Sequence, residues 1–127
     1  MKRARILVCD DEEGIRESLE LILGTTYRLT FATDGEDAMA KAQTQPFDLA
    51  LVDIKMPRVN GLDVLKWFRQ QQPQVPVLML TAYQSVEMAQ EAIRLGAVDY
   101  LAKPFESKEL QAAVARGLSN SAAAKRL

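Results

Sequence analysis

Histidine is missing from this chain of 127 residues. Its absence excludes a Ser-His-Asp triad, an imidazole general base and any histidine-ligated metal. It also means that a phosphoryl group carried on histidine has to arrive from another protein. Cysteine occurs once, which excludes an internal disulfide and a cysteine zinc cluster. That sparing use fits a cytoplasmic setting. No apolar run approaches the ~20 residues of a membrane span. The opening "MKRARILVCDDEE" reaches acids after a very short apolar run, unlike a signal peptide. The formal net charge of −1 gives no basic surface for nucleic acid or anionic lipid, so neither a membrane nor a directly bound nucleic acid is expected as a partner.

What is present is an ordinary globular composition, 48% hydrophobic and 26% charged, at a length that fits one domain with a full core. Five short apolar runs alternate with five helical patterns. The runs are Arg5–Cys9, Tyr27–Ala32, Leu49–Asp53, Val75–Thr81 and Asp99–Ala102. The first, third and fourth are nearly all apolar, as strands covered on both faces are. The second alternates Leu29 and Phe31 with Arg28 and Thr30, which predicts an edge strand.

Between the runs, Ile15, Leu19, Ile22 and Leu23 recur at helical spacing, as do Ala38, Met39 and Ala42, and then Leu62, Leu65 and Phe68. Val86, Ala89, Ala92 and Ile93 form a fourth set that Gly96 ends. Leu110, Ala113, Val114 and Leu118 form a fifth, with Ser107 as the expected N-cap. Asp34-Gly35 and Asn60-Gly61 read as turn chemistry, Trp67 and Phe68 as helix packing, and Cys9 as a small buried hydrophobe. The alternation predicts a three-layer α/β domain with right-handed crossovers. It spans residues 1–119, and residues 120–127 are a helix end or the start of a linker.

In a parallel α/β sheet the strand C-terminal ends share one edge, where sites form. Here the first strand ends in Asp10-Asp11, the third in Asp53 and the fourth in Thr81, and the fifth runs into Lys103-Pro104. Each alone has a bland explanation, such as a helix cap, a turn former or a solvated charge. Their convergence on one edge does not. Three close carboxylates repel one another unless a cation is near, and one lysine cannot balance them. A hard divalent ion such as Mg²⁺, which takes carboxylates, waters and phosphate oxygens, can. An aspartate can also attack phosphorus to give an acyl phosphate, a step that needs mostly positioning and charge neutralisation. Asp53 would then be the acceptor, Asp10 and Asp11 the metal holders, and Lys103 and Thr81 would contact phosphoryl oxygens.

Four stretches carry a resemblance: Ile6–Glu12 "ILVCDDE", Leu51–Leu65 "LVDIKMPRVNGLDVL", Val77–Tyr83 "VLMLTAY" and Gly96–Phe105 "GAVDYLAKPF". In order and spacing, over Ile6 to Leu118, they resemble the receiver domain of two-component response regulators. The resemblance implies a doubly wound, flavodoxin-like five-stranded parallel sheet of order 2-1-3-4-5. It implies Asp53 as phosphoacceptor and Mg²⁺ held by Asp10, Asp11, Asp53 and the main-chain carbonyl of Lys55. It implies Thr81 and Tyr100 as switch residues, Lys103 as the lysine of the site, and a cis Lys103-Pro104 bond. Lys55 and Tyr83 border the site and are expected to tune dephosphorylation. The resemblance implies that the donor is a sensor histidine kinase or phosphotransfer protein. The response is a change of the face made by the fourth helix, fifth strand and fifth helix, which controls an output domain or partner and can form a phosphorylation-dependent homodimer. "LTAY" with "AIRLGAVDYLAKPF" is similar to receivers of sigma-54 transcription activators. A haloacid-dehalogenase-type phosphatase is one rival reading. It spaces its two acids two apart after the first strand, whereas Asp10 and Asp11 are adjacent. A nucleotide or flavin module would need a glycine-rich or Ser/Thr-rich loop at that place, where "DDEEG" stands instead.

Overall fold

The architecture comes from a computed structural model, which describes residues 3–82 and 86–126, with side chains up to 119. Strands and helices alternate without exception. They are β1 (Arg5–Cys9), α1 (Glu13–Leu23), β2 (Arg28–Ala32), α2 (Gly35–Thr44), β3 (Leu49–Asp53), α3 (Gly61–Gln71), β4 (Val77–Thr81), α4 (Val86–Arg94), β5 (Asp99–Ala102) and α5 (Ser107–Arg126). The sheet has the order β2-β1-β3-β4-β5, and every pairing is parallel.

Strand alternation divides the core into two layers. Leu7, Cys9, Ala50, Val52, Val77 and Met79 face one side and pack with Ala38 and Ala42 of α2, Val64, Leu65 and Phe68 of α3, and Ala92 of α4. Ile6, Val8, Leu49, Leu51, Leu78 and Leu80 face the other, against Leu19 and Leu23 of α1 and Leu110, Ala113 and Val114 of α5. β3 and β4 are buried along their whole length because both faces are covered, which is why their sequences are almost uniformly apolar. β2 stands at one edge and is the most exposed strand, in keeping with its alternating pattern.

The starts of α2 and α3 follow their capping chemistry. The Asp34 carboxylate accepts from the Asp37 N–H at 2.8 Å, and the Asn60 side chain accepts from the Asp63 N–H at 3.0 Å. Ser107 is not an N-cap. It is the first residue of α5, and Leu110 N–H donates to the carbonyl of Glu106, which therefore holds the cap position. The fourth apolar set is also less buried than its periodicity predicts. Ala92 is the buried residue of α4, while Val86 and Ile93 are 70% and 50% exposed. The helix thus presents apolar side chains to solvent. Gly96 follows it at φ +107°, a left-handed conformation that favours glycine and stops the helix. Trp67 meets Phe68 edge-on, with centroids 5.1 Å apart, as α3 packing.

Candidate functional site

Register brings the acids together. Cys9 pairs with Val52, so Asp10, one residue on, comes level with Asp53. Thr81 pairs with Ala102, which puts Lys103 just beyond the same edge. The Lys103 N–H donates to the Thr81 carbonyl at 2.8 Å, and the Lys103-Pro104 bond is cis. Among the described residues, the buried polar or charged side chains are Asp10, Asp53, Thr81 and Lys103. All four sit at this one edge of the sheet. Burying a charge is costly unless it is paired, so nothing in folding alone favours collecting them there.

The Lys103 ammonium pairs with Asp10 Oδ2 at 2.7 Å, Glu12 Oε1 at 3.1 Å and Asp53 Oδ2 at 3.2 Å. Carboxylate oxygens of Asp10, Asp11, Glu12 and Asp53 lie within 4.8 Å of one another. Asp11 and Glu12 are exposed and line a cleft with Asp53, Lys55, Met56 and Ala82. Burial pushes the Asp53 carboxyl up to about 6. Lys103 works against that rise, Asp10 adds to it, and the hydrogen bond from the Lys55 main chain lowers it. Burial by itself would lower Lys103, but its hydrogen bond to Asp10 and the charges of Asp10 and Asp53 outweigh burial and raise it. The ammonium therefore stays charged at neutral pH.

Four carboxylates against this ammonium leave a strongly negative pocket of hard oxygen donors. Such a donor set suits a divalent cation of the Mg²⁺ kind, and its ligand atoms are close enough together to share one. The described residues also include a second basic group near the site. Arg16 Nη1 donates to the main-chain carbonyl of Asp10 at 2.8 Å and so ties α1 to the end of β1.

A scan of family models matches residues 6–115 to the response regulator receiver domain. The chain belongs to that family. Among curated proteins, this receiver is 40% identical over 119 residues to the response regulator protein PilR of Pseudomonas aeruginosa, covering 93% of this chain and 27% of that one. It is 39% identical over 117 residues to the transcriptional regulatory protein ZraR of Escherichia coli, covering 91% and 26%. The chain thus spans about a quarter of the length of these relatives. Among solved structures, NtrX of Brucella abortus superimposes with a TM-score of 0.93 at 33% identity, covering 98% of this receiver and 29% of that chain. The chemotaxis protein CheY4 of Vibrio cholerae superimposes with a TM-score of 0.85 at 36% identity, covering 91% and 99%. The sheet order expected of a receiver is the one observed.

The structure brings Asp10, Asp53 and Lys103 into direct contact and places Asp11 and Lys55 on the cleft. Thr81 is wholly buried at the end of β4. Tyr100 is half-buried on β5, against the layer that holds α3 and α4. Tyr83 lies outside the described residues. Sequence reasoning missed the part played by Glu12. It stands there only as the last residue of Ile6–Glu12, and the sole signal for it is a third acid in that run, whose reach to Lys103 no local pattern reveals.

Proposed function

We propose that this receiver accepts a phosphoryl group on Asp53 from the phosphohistidine of a sensor histidine kinase or phosphotransfer protein. The observation that supports this best is the burial of Asp10, Asp53, Thr81 and Lys103 together at one sheet edge. An Asp53 carboxylate oxygen forms the bond to phosphorus while the bond from phosphorus to the donor imidazole nitrogen breaks, which leaves an acyl phosphate and a free histidine on the partner. Mg²⁺ is the cation proposed for the site. It would be held by Asp10, Asp11, Asp53 and the Lys55 carbonyl, and it supplies neutralisation of the acceptor and phosphoryl oxygens. Lys103 offers its ammonium to a second phosphoryl oxygen, and the Thr81 hydroxyl offers a hydrogen bond to a third. The domain turns over nothing but its own phosphoryl group.

Phosphorylation brings nearly two negative charges to this edge. Thr81 and Lys103 are drawn toward them, and Tyr100 fills the space that Thr81 leaves. Such a local charge event biases a two-state element. The exposed Val86 and Ile93 of α4 give the responding face, with β5 and α5, apolar surface for an output domain, an effector or a second copy. Lys55 and Tyr83 set how readily water reaches the acyl phosphate. The match to PilR and ZraR supports an output in transcription regulation, of the sigma-54 activator type, in the cytoplasm. Residues 1–119 are then the receiver unit, and 120–127 a helix end or linker tail.

The test is intact mass after incubation with Mg²⁺ and acetyl phosphate. One added phosphoryl group is expected, lost with EDTA and absent in Asp53→Asn. A group that persists in Asp53→Asn would overturn the assignment.

A further inference from the structure

An ammonium has three N–H donors. In Lys103 all three are directed at carboxylates, on Asp10, Glu12 and Asp53. A phosphoryl oxygen that binds Lys103 has to take a donor from one of them. Asp10 makes the shortest contact and is fully buried, so leaving it unpaired is the costliest choice. Asp53 is itself the nucleophile that bonds to phosphorus, and Lys103 has to stay beside it. Glu12 is 58% exposed and is rehydrated as soon as it lets go.

A second observation concerns where Glu12 stands. It is the N-cap residue of α1, with an extended backbone at φ −93°, ψ 117°, yet its side chain makes no capping hydrogen bond. A side chain at this position commonly turns back to the free N–H groups of its own helix. That of Glu12 instead reaches a lysine 91 residues away in the chain.

We propose that Glu12 is a positioning residue that occupies the Lys103 donor destined for the incoming phosphoryl group, and that it is exchanged for a phosphoryl oxygen when Asp53 reacts. The inference rests on Asp53 being the acceptor. Glu12 thereby slows phosphorylation, because its ion pair must open first. It acts through Lys103 and forms no bond to phosphorus.

The experiment compares the wild-type chain with Glu12→Ala and Glu12→Asp. Phosphoramidate is the donor, so an oxygen of Asp53 bonds to phosphorus while the phosphorus–nitrogen bond breaks and ammonia leaves. Mg²⁺ is held at saturation for each variant, as fixed by titration, and unfolding midpoints are measured alongside. Aspartate keeps the charge but is one methylene too short for the contact. Both variants are expected to gain the phosphoryl group about threefold faster, the scale of one partly exposed ion pair, whatever the change in midpoint. Acceleration in Glu12→Ala alone would mean that charge repulsion, and not the Lys103 contact, sets the rate, and would overturn the proposal. Equal rates in all three chains would overturn it as well. If the wild-type chain gains no phosphoryl group, the phosphoacceptor reading itself fails, and Glu12's role with it.

Discussion

Gly61 packs so closely on Asp53 that a Cβ built on it would lie 2.1 Å from the Asp53 main-chain oxygen and 2.7 Å from Ile54 Cα. The Gly61 N–H also donates to the Ile54 carbonyl at 2.7 Å. The start of α3 is thereby pressed onto the end of β3, which holds the Asp53 backbone still. The atoms in the way are main chain, so they cannot step aside cheaply. Gly61→Ala is expected to cost about 3 kcal/mol or more of stability, the upper range for an overpacked site. It should also weaken Mg²⁺ binding. Urea denaturation and Mg²⁺ titration of the variant check both. A loss below about 0.5 kcal/mol, within the range of ordinary surface changes, would mean that the loop yields freely.

Asp53 carries a pH dependence whose sign follows from its carboxyl, which sits near 6 in the fold against 3.8 ordinarily. A folded value above the unfolded one means that the fold favours the protonated group. That stability is fully present below about pH 4 and is lost as pH rises through 6. Asp53→Asn removes the loss. In EDTA the variant should be more stable than the wild-type chain at pH 8, by about 2–3 kcal/mol, and the gap should close near pH 4. Chemical denaturation at pH 4, 6 and 8 measures it. A gap that is the same at all three would contradict the burial argument.

A divalent ion in the acidic cleft should stabilise the fold by mass action. At a concentration 100 times its Kd, Mg²⁺ should add about 2.7 kcal/mol. The thermal midpoint should rise with Mg²⁺ and return on addition of EDTA. Asp11→Asn, which alters an exposed carboxylate of the cluster, should weaken that response with little effect on the metal-free midpoint. An unchanged Mg²⁺ response in Asp11→Asn would place the ion elsewhere.

Cys9 is 1% exposed, and its thiol lies 3.3 Å from the Asp34 carbonyl and 3.4 Å from Met56 Sδ. Burial, with the charges of Asp10, Asp34, Asp37 and Asp53 in support, pushes it up to about 12. The reactive thiolate is therefore scarce at neutral pH and shielded as well. A thiol reagent at pH 8 should leave the folded chain unlabelled and modify Cys9 fully in denaturant. Rapid labelling of the folded chain would show that the end of β1 opens to solvent.

The strands were legible because burial on both faces demands near-continuous apolar residues, and Leu49–Asp53 and Val77–Thr81 carry that signature. The edge position of Arg28–Ala32 was legible from its alternation. Ser107 as a cap was not, because serine serves equally as a first helical residue and the sequence does not say which carbonyl opens the helix. The exposure of Val86 and Ile93 was also hidden. Helical periodicity shows that residues share a face, not that anything covers it.

By itself the sequence determined the alternation of elements and the run of acids and the lysine at strand ends, because residue type and period are local properties of the chain. Only the tertiary structure decided that Lys103 shares its three donors among Asp10, Glu12 and Asp53, that Gly61 seals the main chain of Asp53, and that Arg16 fastens Asp10. These contacts join residues from different elements. They depend on strand register, on crossover geometry and on where each side chain ends, none of which a one-dimensional pattern carries.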